Sequence, residues 1–183
     1  MPKFIPTGWF PAIGSLYQIP MDIINTHSGI LFYSEYNTPE QIKKLKDFSK
    51  NLKSSLVVRL EDIPETGENN IGPTYEKMEM IKSFIENHRT DDLIVSCHGG
   101  ISRTGAIVDY IMQIHHYQLD LDNLKYANVS YSPNHLMTMY LQQLTHEYTP
   151  SKTLDYYPDE HIWRINDDET FIKKNHLENL YKK

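Results

Sequence analysis

The chain has 183 residues, 39% of them hydrophobic and 23% charged, and a net charge of -6. That length supports one domain with a real core, and no apolar stretch is long enough to span a membrane. The acidic balance argues against a nucleic-acid backbone as partner, and a single cysteine, Cys97, rules out an internal disulfide.

In chain order, Met1 to Pro6 lacks the apolar run of a secretion signal. With no disulfide either, a cytoplasmic protein with no membrane partner is expected. Gly29 to Ser34 reads as a strand. Thr38, Pro39 and Gln41 form a helix start, with Thr38 as N-cap and Gln41 closing a capping box. Ile42, Leu45, Phe48 and Leu52 then mark one apolar helix face. Leu56-Val57-Val58 leads a buried strand ending near Asp62, and a Gly-, Pro- and Asn-rich loop runs from Ile63 to Pro73. Met78, Ile81, Phe84 and Ile85 mark the next helix, and Leu93 to Ser96 is the central strand. Ile107, Tyr110, Ile111 and Ile114 share a face of the helix after it, while His115 and His116 read as solvated. Ser132 is read as the cap, and Pro133 as the opening, of a last core helix carrying Leu136, Met139, Tyr140 and Leu144.

Strands alternating with helices predict an α/β fold, a central mostly parallel sheet flanked by helices. One domain is expected over 1–183, with its core at about 28–146 and an extension at about 149–183. That polar extension carries Tyr156-Tyr157-Pro158 and a short helix from Glu169 to Tyr181. Trp9 and Tyr17 read as core residues or as a wall beside a site.

The segment Cys97-His98-Gly99-Gly100-Ile101-Ser102-Arg103-Thr104 joins the central strand to the following helix. Its chemistry suits attack on a phosphate. The N–H groups of residues 98 to 103 (His98, Gly99, Gly100, Ile101, Ser102 and Arg103) can converge on one anion, helped by the positive end of the helix. Gly99 and Gly100 keep side chains out of the cradle. Arg103 brings a planar fork matched to two phosphate oxygens. The same positive field favours a thiolate nucleophile at Cys97. Thr104 offers a hydroxyl able to donate to the sulfur as it leaves.

This segment resembles the signature of the protein tyrosine and dual-specificity phosphatase superfamily: Cys, five residues, Arg, then Ser or Thr. The run Gly100-Ile101-Ser102-Arg103-Thr104-Gly105-Ala106 resembles its compact bacterial-type branch. The resemblance reaches upstream to Arg59-Leu60-Glu61-Asp62-Ile63 and downstream to Ser132-Pro133-Asn134. One departure stands out. The superfamily usually has histidine just before the nucleophile, where it orients the loop; here that residue is Ser96, and a histidine follows instead, His98.

The resemblance implies a cysteine-dependent phosphomonoesterase acting on phosphotyrosine in a protein or peptide, with dual specificity as a variant. It needs no metal or other cofactor. It also implies an upstream aspartate as general acid, for which Asp62 is the candidate and Glu65 the runner-up. Asp91 and Asp92 precede the nucleophile strand, at its far end from the chemistry. Asn134 reads as a cap or as a support for the loop. Other readings remain open: an RNA 5′-phosphatase, a phosphoinositide phosphatase, or a phosphate-binding module without turnover. The oligomeric state is open as well.

Overall fold

In the computed structural model, residues 1–10, 14–62, 72–157 and 162–165 are described. The main sheet is built from β1 (Lys3–Gly8), β2 (Ser28–Tyr33), β3 (Ser54–Arg59), β4 (Leu93–Cys97) and β5 (Gln118–Leu119). Their order is β3-β2-β4-β1-β5, and every pairing is parallel. The helices are α1 (Met21–Ile24), α2 (Pro39–Ser49), α3 (Tyr75–Asn87), α4 (Ser102–His115) and α5 (His135–Leu144). A second, antiparallel sheet joins β6 (Ser130–Tyr131), β7 (Leu154–Tyr157) and β8 (Ile162–Ile165).

Strand residues alternate between the two faces, as the two-residue period of a strand dictates. Phe4, Ile30, Phe32, Leu93 and Val95 pack with Met78 and Ile81 of α3, Ile107 and Ile111 of α4, and Met137 of α5. Ile5, Leu31 and Ile94 turn to the other face, against Leu16, against Ile24 of α1 and against Leu45 of α2. Apolar cover on both faces explains the near-continuous hydrophobic runs of these strands. α4 is buried from Arg103 through Met112 because it lies against β1 and β4 and is itself covered by α5 and β6.

The helix start at Thr38 is as read: its hydroxyl accepts from Gln41 N, and the Gln41 side chain accepts from Thr38 N. Two other readings are corrected. β1 has no counterpart in the reading of the sequence, because Pro2 and Pro6 argue against a strand. Pro6 O accepts from Asn128 N, so the Pro6 nitrogen also faces away from β4 and no ladder bond to β4 is lost. α5 begins two residues later than expected: Asn134, not Ser132, is the N-cap, accepting from Met137 N. The Asn134 side chain, not that of Ser132, reaches a free N–H of the first turn, so Pro133 lies before the helix rather than at its first position.

The segment after α5 is tied to α4 through one buried carboxylate. Asp109 accepts from Tyr148 Oη (2.6 Å), Ser151 N (2.9 Å), Ser151 Oγ (2.6 Å) and Gln113 Nε2 (2.9 Å). Burial pushes its pKa up, and these hydrogen bonds pull it back. Leu154 and Tyr156 beyond it belong to the core. The helix expected at Glu169 to Tyr181 lies outside the described residues. His115 is not simply solvated: its ring meets Tyr110 edge-on at 5.5 Å, and its Nε2 is buried with no partner. His116 is exposed and closes α4 in the left-handed conformation, with φ 56°.

Candidate active site

Cys97 is the last residue of β4, the middle strand of the sheet, and is 2% exposed. Ligands of parallel α/β sheets bind beyond the carboxyl ends of the strands. Residues 98–101 turn from β4 into α4, with Gly100 in the left-handed region at φ 73°. Gly100 N donates to Cys97 Sγ at 3.2 Å, so the loop curls its amide back onto the sulfur. α2, α3 and α5 are each capped by a side chain, from Thr38, Thr74 and Asn134. α4 has no side-chain cap and no acidic residue in its first turn. Its amino end therefore keeps donors and positive dipole for an external anion.

Arg103 is 4% exposed. Its Nη1 donates to Leu60 O at 2.6 Å, while Nε is buried without a partner. A buried guanidinium N–H left unpaired is costly unless something binds there. Thr104 Oγ1 is likewise buried and makes no hydrogen bond. The resting sulfur accepts from the Gly100 amide, while the role expected of Thr104 belongs to the sulfur as it leaves. Ser96 Oγ is also buried and unpartnered, so the residue before the thiol donates nothing to the loop.

Asp62 lies beyond the end of β3, on the same edge of the sheet as Cys97. Its Oδ1 accepts from Ser102 Oγ at 2.7 Å and from Asn134 Nδ2 at 2.8 Å. Asn134 N also donates to Ser102 O at 3.1 Å. Asp62, the first turn of α4 and the cap of α5 are therefore one hydrogen-bonded unit. Asn134 serves both as a cap and as a support for this edge, and Ser102 contributes its side chain as well as its backbone. Glu61, beside Asp62, is 2% exposed and accepts from Glu35 N at 2.5 Å, fixing the chain just before the candidate acid. Glu65 lies outside the described residues.

The loop rests on the carboxyl end of β1. A Cβ placed on Gly100 would sit 2.6 Å from Gly8 N and 2.7 Å from Thr7 C. One placed on Gly8 would sit 2.9 Å from Gly99 C. Only glycine backbones fit so closely. Asn128 Nδ2 adds a bond to Gly100 O at 3.3 Å. His98 packs against Trp9 and Phe10, and its pKa is lowered, first by burial and then by the charge of Arg103. Trp9 is a core residue, 1% exposed, and Tyr17 packs on Phe48.

Asp91 and Asp92 sit at the opposite end of the sheet. Asp91 accepts from Ser28 Oγ and Lys53 Nζ, and Asp92 accepts from Lys3 N. Among the described residues, no group of three or more His, Cys, Asp or Glu is placed to hold a metal ion. No helix of the described residues is long and apolar enough to cross a membrane.

No family model and no curated protein matches the sequence. Solved structures similar in fold include the PTP-2 phosphatase of Cydia pomonella, with 13% identity over 90% of this chain and 94% of that one, at a TM-score of 0.46. PTPMT1 in complex with PI(5)P gives 13% identity over 80% and 95%, at a TM-score of 0.44. A second structure of PTPMT1 gives 17% identity over 79% and 92%, at 0.42. At such identities and TM-scores nothing about chemistry or substrate is carried over to this chain.

Proposed function

We propose that this protein is a cysteine-dependent phosphomonoesterase whose substrate is phosphotyrosine in a protein or peptide. The observation that carries the reading is the combination at the end of β4. A buried thiol there accepts a loop amide, beside an uncapped helix N-terminus and a guanidinium with one unpaired buried N–H. A tetrahedral dianion pairs with the helix end and the guanidinium and presents its phosphorus to the sulfur.

In the first step Cys97 Sγ attacks phosphorus in line, forming an S–P bond as the P–O bond to the leaving group breaks. Arg103 and those N–H groups of residues 98 to 103 that are not turned onto the sulfur hold the equatorial oxygens, where positioning and electrostatics supply most of the acceleration. Asp62 gives its proton to the leaving oxygen. Ser102 and Asn134 hold Oδ1 and leave Oδ2 for that proton. In the second step water attacks phosphorus, returns a proton to Asp62 and releases inorganic phosphate and the thiolate. No step calls for a metal. A reducing cytoplasm keeps the lone thiol in its active form. The preference for phosphotyrosine rests on the loop, which carries no lysine to attract several phosphates at once.

The test is a turnover panel at one ionic strength, across phosphotyrosine and phosphoserine peptides, a phosphoinositide and an RNA 5′-triphosphate. The expected result is the highest kcat/KM on phosphotyrosine and none on any substrate for Cys97→Ser. Faster cleavage of the RNA or the lipid reassigns the substrate. Absence of turnover on all four leaves a phosphate-binding module.

A further inference from the structure

The ladder between β1 and β4 continues past the ends of both strands. Trp9 N donates to Cys97 O and Phe10 N to His98 O, each at 3.1 Å. The two residues after β1 therefore run beside the nucleophile and the first residue of the loop. Their rings close on the His98 imidazole, Phe10 at 4.4 Å with planes 32° apart and Trp9 edge-on at 5.0 Å. Trp9 is itself locked, because its buried Nε1 donates to Phe32 O at 2.8 Å. Phe10 is only partly buried. On the other side of Cys97, the Ser96 hydroxyl has no partner and orients nothing.

We propose that Phe10 is a positioning residue, which clamps His98 against Trp9 and so holds the Cys97–Gly100 segment in its phosphate-binding shape. The proposal rests on the phosphatase reading of the site. The clamp acts where Ser96 gives no support. His98 suits a clamp because its pKa lies below the ordinary histidine value, so the ring stacks as a neutral imidazole and adds no charge beside Arg103. The cradle amides belong to the clamped segment itself. Small displacements of such groups are expensive, since a shift of about 1 Å costs up to roughly 100-fold in rate.

The test uses the full chain with Phe10→Ala, Phe10→Leu and Phe10→Tyr. Each variant is assayed for turnover of an aryl phosphate, for orthovanadate affinity and for thermal stability. Phe10→Ala is expected to lose about 10- to 100-fold in kcat, with weaker vanadate binding and little change in Tm. Phe10→Tyr, which restores the ring, is expected to recover most of both losses; a generic packing role would be met equally well by Phe10→Leu. Wild-type kcat and vanadate affinity in Phe10→Ala overturn the proposal, as does full recovery by Phe10→Leu. If Phe10→Ala fails to fold, Phe10→Leu against Phe10→Tyr decides on the same readouts. If the wild type turns over no phosphate ester, the phosphatase reading fails. Vanadate affinity then judges the clamp alone: weaker binding by Phe10→Leu supports it, and equal binding overturns it.

Discussion

Gly100→Ala perturbs the contact on which the loop is built. Gly100 has φ 73°, a conformation that costs an L-residue about 1–2 kcal/mol. The new Cβ would also lie 2.6 Å from Gly8 N, 2.7 Å from Thr7 C and 2.9 Å from Thr7 O. These are backbone atoms of β1, which is paired with β4 and β5, so they cannot move aside as a flexible side chain would. Overpacking of that kind costs about 1–3 kcal/mol more. The sum, about 2–5 kcal/mol, lowers Tm by about 4–20 °C in a chain of this size. Relief of the overlap pushes the loop off β1, breaking the Gly100 N to Cys97 Sγ bond and the Asn128 bond to Gly100 O. Turnover should fall more steeply than stability. The assay is a thermal melt beside aryl-phosphate kinetics, with Gly8→Ala as the companion. Gly8→Ala meets the same interface from below, 2.9 Å from Gly99 C, but without a positive φ, so its stability loss should be smaller. Wild-type Tm and turnover in Gly100→Ala would refute the account of how the loop is supported.

Asp62→Asn should lower kcat strongly on phosphotyrosine and much less on esters with acidic leaving groups, which leave without a proton. Asn134→Ala should show a weaker form of the same dependence, because it removes one of two bonds to Asp62 Oδ1; a loss independent of the leaving group contradicts this. Asp109→Ala leaves the Tyr148, Ser151 and Gln113 donors without their acceptor. It should cost about 3 kcal/mol or more in urea denaturation, and a loss no larger than that of an exposed carboxylate would be contrary to the structure. His98 and His115 are both held below the ordinary value of 6.5, chiefly by burial. Between their lowered values and 6.5 the unfolded chain binds more protons than the folded one. Stability should therefore fall as pH drops through that window, and His115→Phe should flatten the slope in a denaturation series.

What the sequence made legible was local. The strand, loop and helix around Cys97 are adjacent in the chain, and each announces itself by apolar run, glycine pair or periodicity. The Thr38 box is legible for the same reason, since donor and acceptor lie within one turn. The parts that were not legible depend on distant segments. β1 is a strand because β4 and β5 lie beside it, although its prolines argue otherwise. Asp62 meets Ser102 and Asn134 across 40 and 72 residues, and no spacing rule reports that. Tyr148 and Ser151 fold back over Asp109 from 39 and 42 residues along the chain, and nothing in the local helix pattern marks that. Thr104 Oγ1 is buried with no hydrogen-bond partner, and the sulfur accepts from Gly100 N, a contact that the order of residues in the loop does not announce.

The central claim is that phosphate passes through the Cys97 sulfur. Rapid acid quench during turnover of phosphotyrosine, followed by peptide mass spectrometry, tests it directly. The account predicts one phosphoryl group on the peptide bearing Cys97, formed and lost at rates that match turnover. It should accumulate when water attack is slowed by Asp62→Asn with an acidic-leaving-group substrate. Steady turnover with no phosphoryl group ever found on Cys97, or with Cys97→Ser as active as the wild type, would contradict it.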